Sequence, residues 1–163
     1  MPSGITVTRT GRPFSELTFS NTALMREIGE GVLARIRART KAGVDAQGAA
    51  FPSLSPAYIL QKQKALGHGR ADLMVSGRLL NDMMVFPTAA QVTLTFLSGG
   101  STRATGRTLI QRSRSVGAAD KAFWHNVTGA GRAHILRPFF DLNDGDEAFA
   151  LSRLEIFLAQ QAR

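Results

Sequence analysis

GVDAQGAAFPSLSPAY, residues 43 to 58, carries two kinds of punctuation whose joint reading sets the fold. Asp45 and Gly48 are turn formers, the glycine able to take the left-handed geometry that a side chain resists. Ser55 followed by Pro56 is a helix start, with a hydroxyl to accept from free backbone N–H groups and a proline where no donor is needed. A cation loop is the competing reading of Asp45, but such a loop needs several oxygen ligands and a closing carboxylate. No acid recurs before Asp72, so the stretch reads as an elbow between two helices, with Phe51 as its apolar anchor.

Upstream of the elbow, Leu24, Ile28, Val32 and Ile36 recur every fourth residue, which predicts a helix capped by Ser20 or Asn21 and stopped by Gly43. Gly29 and Gly31 each cost that helix about 1 kcal/mol relative to Ala, so it needs packing to persist. Arg35, Arg37, Arg39 and Lys41 suit the negative end of its dipole. Before it, ITVTRT from Ile5 alternates like a short strand. Downstream, a helix runs to Leu66 and Gly67, GHGRAD breaks the chain, and a third helix extends from a Ser76 cap to about Met83. QVTLTFLS alternates cleanly, with Val92, Leu94 and Phe96 on one face. Glycine and serine around TLIQR predict a hairpin arm at about 97–117, carrying Arg103 and Arg107 at its tip. A short helix around DKAFWHNV follows. The last helix starts at Asn143 or Asp144, with Glu147 completing a capping box and Ala150, Leu151, Leu154, Phe157 and Leu158 as its buried stripe. The fold class is α+β, a single domain over residues 1–163 with a long N-terminal helix on a small antiparallel sheet, an extended arm and a C-terminal helix.

Composition narrows the function. Twenty basic residues face twelve acidic ones, a net charge of +8, and arginines dominate the basic set, which favours an anionic partner. No acid occurs between Asp82 and Asp120, where Arg103, Arg107, Arg112 and Arg114 lie, while Asp141, Asp144, Asp146 and Glu147 gather near the end. One chain thus offers a basic segment and an acidic counter-surface, suited to nucleic acid or to a neighbouring copy. The absence of cysteine excludes disulfides and thiolate metal sites. The first residues lack the apolar core of a secretory signal and no apolar run approaches the roughly 20 residues of a membrane span; the expectation is synthesis in the cytoplasm and no membrane partner. His68, His125 and His134 are scattered, and no phosphate loop, nucleophile elbow or dinucleotide fingerprint is present. The chain therefore reads as no enzyme, with no metal and no cofactor.

Taken in order, the motifs resemble the phage virion morphogenesis family, the tail-completion proteins of Mu-like phages. That family's pattern is matched by Asp45 and Gly48, by Pro52, Leu54, Ser55, Pro56, Tyr58 and Lys62, by Gly77, Arg78 and Leu79, and by Arg137, Pro138, Phe139 and Leu142. Ser76 stands where the family has threonine, and Phe140 with Asp141 replace a leucine and a glycine. The resemblance implies a structural protein of the virion neck, made in the host cytoplasm. It implies a homo-oligomeric ring, sixfold to match a tail or twelvefold to match a portal, that completes the tail and allows head–tail joining. Its partners would be other copies of itself, the head-completion or portal-side proteins, the tail tube, and genomic DNA in the channel. The alternative is a small basic nucleic-acid-binding protein using the 99–117 segment on phosphates. It lacks aromatic stacking platforms there, because the only Tyr and Trp are Tyr58 and Trp124.

Overall fold

A computed structural model describes residues 21–74, 77–97, 117–131 and 133–161. The expected N-terminal strand, Ser20, Ser76, TLIQR and almost all of the arm lie outside them. The architecture is α+β: helices α1 (Thr22–Ala42), α2 (Pro56–Leu66), α3 (Arg78–Asn81), α4 (Ala118–Phe123, continued by a π-helical turn Trp124–Thr128) and α5 (Asp144–Gln161), with strands β1 (Met83–Pro87) and β2 (Val92–Phe96). Packing divides the chain into two units.

The first unit takes α1 as far as Arg35, Val85–Leu94 and the chain from Leu142. Asn21 caps α1, its side-chain oxygen accepting from Leu24 N–H at 3.0 Å. Leu24, Ile28 and Val32 are buried as the periodicity predicts. The two glycines that weaken α1 as an isolated helix now have a reason. A Cβ at Gly29 would collide with Val85 and Val92, and one at Gly31 with the ring of Phe149. Bare backbone at these points lets the hairpin and α5 come against α1. Arg35 and Arg153 lie over that Phe149 ring, at 5.1 and 5.4 Å from its centroid.

The α5 N-terminus is capped as expected, but by a different acid. Asn143 N–H donates to Asp146 at 3.2 Å and Asp146 N–H donates to Asn143 at 2.9 Å. With Asn143 as the cap, the third helical residue is Asp146, not Glu147, and the box closes there. Of the expected stripe Ala150 is buried and Leu154, Phe157 and Leu158 are half-buried, whereas Leu151 is exposed.

The second unit comprises Ile36–Met84 and Thr95–Asp141. Its core is built on Ile36, Leu79, Leu80, Met83, Phe96 and Phe139. The third helix is shorter than expected, four residues capped by Gly77 at φ 71°, and it stops before Asp82. Met83 and Met84 then open β1 rather than extend the helix. The β-branched and aromatic neighbours Val85 and Phe86 favour extended backbone, and β2 supplies a partner. The antiparallel register is set at one end by Thr88 N–H to Gln91 O (2.7 Å) and at the other by Leu97 N–H to Asp82 O (2.7 Å). Among the described residues β2 therefore pairs with β1, a partner that the expected pairing with TLIQR did not include.

Arg37 and Arg39 find specific acceptors beyond the helix dipole. Arg37 donates to Leu80 O and Met83 O, both at 2.9 Å, so it closes the end of α3. Arg39 donates to the main-chain oxygen of Asp141. Among the described residues no helix is long and apolar enough to cross a membrane.

Candidate functional site

The elbow at 43–58 forms as its residues dictate. The Asp45 carboxylate accepts from the N–H groups of Gln47 and Ala49, at 3.0 and 2.8 Å, and Gly48 sits at φ 86°. Both carboxylate bonds go to backbone within its own turn, which is the behaviour of an Asx turn. Phe51 N–H donates to Gly43 O at 2.7 Å and its ring is buried. One detail differs. Ser55 stands at the α2 cap in extended geometry but its hydroxyl makes no capping bond; Pro56 leads the helix and the Ser55 carbonyl accepts from Ile59 instead.

Arg137 welds this elbow to a distant segment. It is 6% exposed, and its guanidinium donates to the carbonyls of Pro52 (3.1 Å from Nη2, 3.3 Å from Nε) and Ser53 (3.3 Å). Its own N–H donates to His125 O at 2.8 Å. Burial pushes the guanidinium below its usual value, and Tyr58 pulls the other way. Burial, and then the charge of Arg137, push the His125 imidazole down to about 4, so it is neutral at physiological pH. Its buried Nδ1 has no hydrogen-bond partner, and the ring stands edge-on to Phe139 at 6.5 Å. Phe139 is wholly buried and meets Phe96 edge-on at 6.2 Å, while Phe140 lies 4.9 Å from Phe96. A neutral histidine, an arginine and three phenylalanines form a packed seam against the elbow.

Lys62 makes a second buried node. It pairs with Asp72 where both side chains are almost fully enclosed, and it donates to Arg70 O as well. Asp72 also accepts from Met74 N–H at 3.0 Å, and His68 Nε2 lies 3.7 Å from its other oxygen. Burial raises the Asp72 carboxyl, but the Lys62 hydrogen bond, the Met74 N–H and the charges of Lys62 and His68 outweigh it and hold the group below the ordinary Asp value. This clamp ties the 67–74 segment back to α2. Leu73, at φ 54°, is held in a left-handed conformation inside it.

Arg103, Arg107, Arg112 and Arg114 lie outside the described residues. Of the acidic counter-surface, Asp141, Asp144 and Glu147 are exposed. Asp146 is not part of it: at 2% exposure its carboxylate serves the α5 cap. Sequence reasoning did not find the outer face of α4 and its π turn, where Phe123, Trp124 and Val127 are 53, 41 and 60% exposed. Their i, i+1, i+4 spacing was the available signal. Among the described residues no group of three His, Asp or Glu could hold a metal ion. Comparison with known proteins finds no matching family model, curated protein or solved structure.

Proposed function

We propose that the chain is a non-catalytic component of the head-to-tail junction of a phage particle, a ring-forming subunit that completes the tail and allows it to join the head. The observation that carries this reading is the seam between Arg137 and the elbow. Motif residues some 85 positions apart, Pro52 and Arg137, meet through the main chain, and Asp45, Gly48, Lys62 and Phe139 act in turns, clamps and core. A motif set whose members sit mainly in turns, clamps and core suits a family held together by shape and assembly, while Tyr58 and Arg78 face outward. The exposed aromatic face and the uneven charge add surfaces for neighbours.

The mass of the purified protein as concentration rises, by native mass spectrometry or mass photometry, tests the ring. A discrete oligomer is expected. A protein that stays monomeric at every concentration and in the presence of tails overturns the reading.

A further inference from the structure

We infer that the ring closes by a helix-on-helix contact in which the outer face of α5 from one copy, bearing Leu151, Glu155 and Ile156, seats on the face formed by Phe123, Trp124 and Val127 of the next. The inference rests on the ring reading and names the surfaces it uses. Along α4 and its π turn the buried positions are Ala118 and Ala122, and the large apolar groups point the other way. At the observed exposures Phe123, Trp124 and Val127 present roughly 300 Å² of apolar surface. That is enough for the dry centre of an interface of about 800 Å² per partner, with a polar rim around it. π turns concentrate at functional sites, and this one supplies Trp124.

The occupant follows from charge and shape. On α5, Ala148, Leu151, Ser152, Glu155, Ile156 and Ala159 are exposed at the spacing of one continuous helix face, with Leu151 and Ile156 as its apolar points. The alanines and the serine allow close approach of large rings. Among its described residues the unit that contains α5 has three arginines against six carboxylates. The unit that contains α4 has nine basic residues against five acidic ones. Lys121 and Asp120 both flank the aromatic face, the Asp120 carboxylate accepting from Gly117 N–H at 3.1 Å, so the basic excess is that of the unit as a whole. Two α5 faces brought together would oppose Glu155 to Glu155 or Glu147, whereas α5 on α4 brings Glu155 to the unit that carries the basic excess. The contact is therefore heterologous, the type that builds rings.

Two variants test it, Trp124→Ser/Val127→Ser and Leu151→Ser/Ile156→Ser, each checked by circular dichroism and thermal melting for a wild-type fold. Wild type is expected as a closed oligomer and each variant alone as a monomer. An equimolar mixture then gives a one-to-one heterodimer that grows no further, because one intact pair of faces remains between the two. If both variants assemble to the wild-type mass, the contact lies elsewhere and only this inference falls, whatever other protein covers those faces. If both are monomeric and the mixture yields no dimer, the two faces do not meet each other and the inference also falls. A monomeric wild type removes the ring and the inference together.

Discussion

Replacing Lys62 by methionine isolates the cost of an unpaired buried charge. The pair is enclosed on both sides, with side-chain exposures of 2 and 3%, and removing one partner of such a pair typically costs about 3–5 kcal/mol. Asp72 keeps its bond from Met74 N–H and the neighbouring His68, which places the expected loss near the low end, about 3 kcal/mol. For a chain of this length that lowers the melting midpoint by roughly 6–12 °C. The second variant, Lys62→Met/Asp72→Asn, removes the charge while leaving an oxygen for Met74 N–H, and should recover most of the loss. Urea unfolding at pH 7 measures both. Asp72 is held below its ordinary value when folded, so its contribution is present above the unfolded Asp pKa and fades as pH falls through the lower folded one. The gap between wild type and Lys62→Met should therefore narrow in acid. A loss under about 1 kcal/mol for Lys62→Met, or a double variant as unstable as the single, refutes the clamp as a source of stability.

Other outcomes follow from the same geometry. Gly31→Ala should destabilise by about 1–3 kcal/mol in thermal unfolding although alanine is the better helix former, because the new Cβ meets the Phe149 ring; pairing it with Phe149→Leu should return part of the loss. Arg137→Met should cost about 2–4 kcal/mol in urea, since the carbonyls of Pro52 and Ser53 lose their donor, and Arg137→Lys should not fully restore it. The folded His125 imidazole is depressed from 6.5 to about 4, so stability is fully present above pH 6.5. It falls by about 1–2 kcal/mol, less than the full shift because solvent reaches part of the ring, as pH drops through that window, where only the unfolded chain takes the proton; His125→Phe should flatten the profile measured by unfolding at stepped pH. On the proposed ring reading, reversing Arg112 and Arg114 to Glu should impair assembly, read as the yield of joined particles, while the monomer melts like wild type. If binding to duplex DNA occurs at all through that segment, its affinity must fall steeply between two salt concentrations.

The elements legible in the sequence are those whose signal is local. The fourfold spacing of α1, the Asp45–Gly48 turn, the Gly67 stop and the α5 start all depend on residues within one or two turns, and all are present. The start of β1 was missed because Leu79, Leu80, Met83 and Met84 keep helical spacing across Asp82, and only pairing with β2 makes Met83 extended. Long-range polar partners carried no local trace. Lys62 sits between Gln61 and Gln63 on a largely exposed helix, so nothing in its neighbourhood announces burial; Asp72, ten residues on, supplies the reason. The same holds for Arg137, whose acceptors are backbone oxygens with no side-chain identity to recognise. The two glycines of α1 were legible as a cost but not as a fit, since Phe149 and Val92 are remote in sequence.

This division bears on where specificity resides. The residues that carry the resemblance sit mainly in turns, caps and buried nodes: Asp45 bonds its own loop, Gly77 takes a left-handed φ, Lys62 and Arg137 bond inward, and Phe139 is fully enclosed. Changes at these positions act through stability, because the groups they touch are the chain's own. Phe123, Trp124, Val127, Leu151 and Ile156 are not among the matched motif residues, touch solvent, and form no part of the buried core. A surface that selects one neighbour must differ between proteins that share a scaffold but assemble with different partners. On the proposed ring reading the partner-selecting residues are therefore expected outside the motif, and substitutions on the α4 and α5 faces should change assembly while leaving the unfolding midpoint nearly where it was.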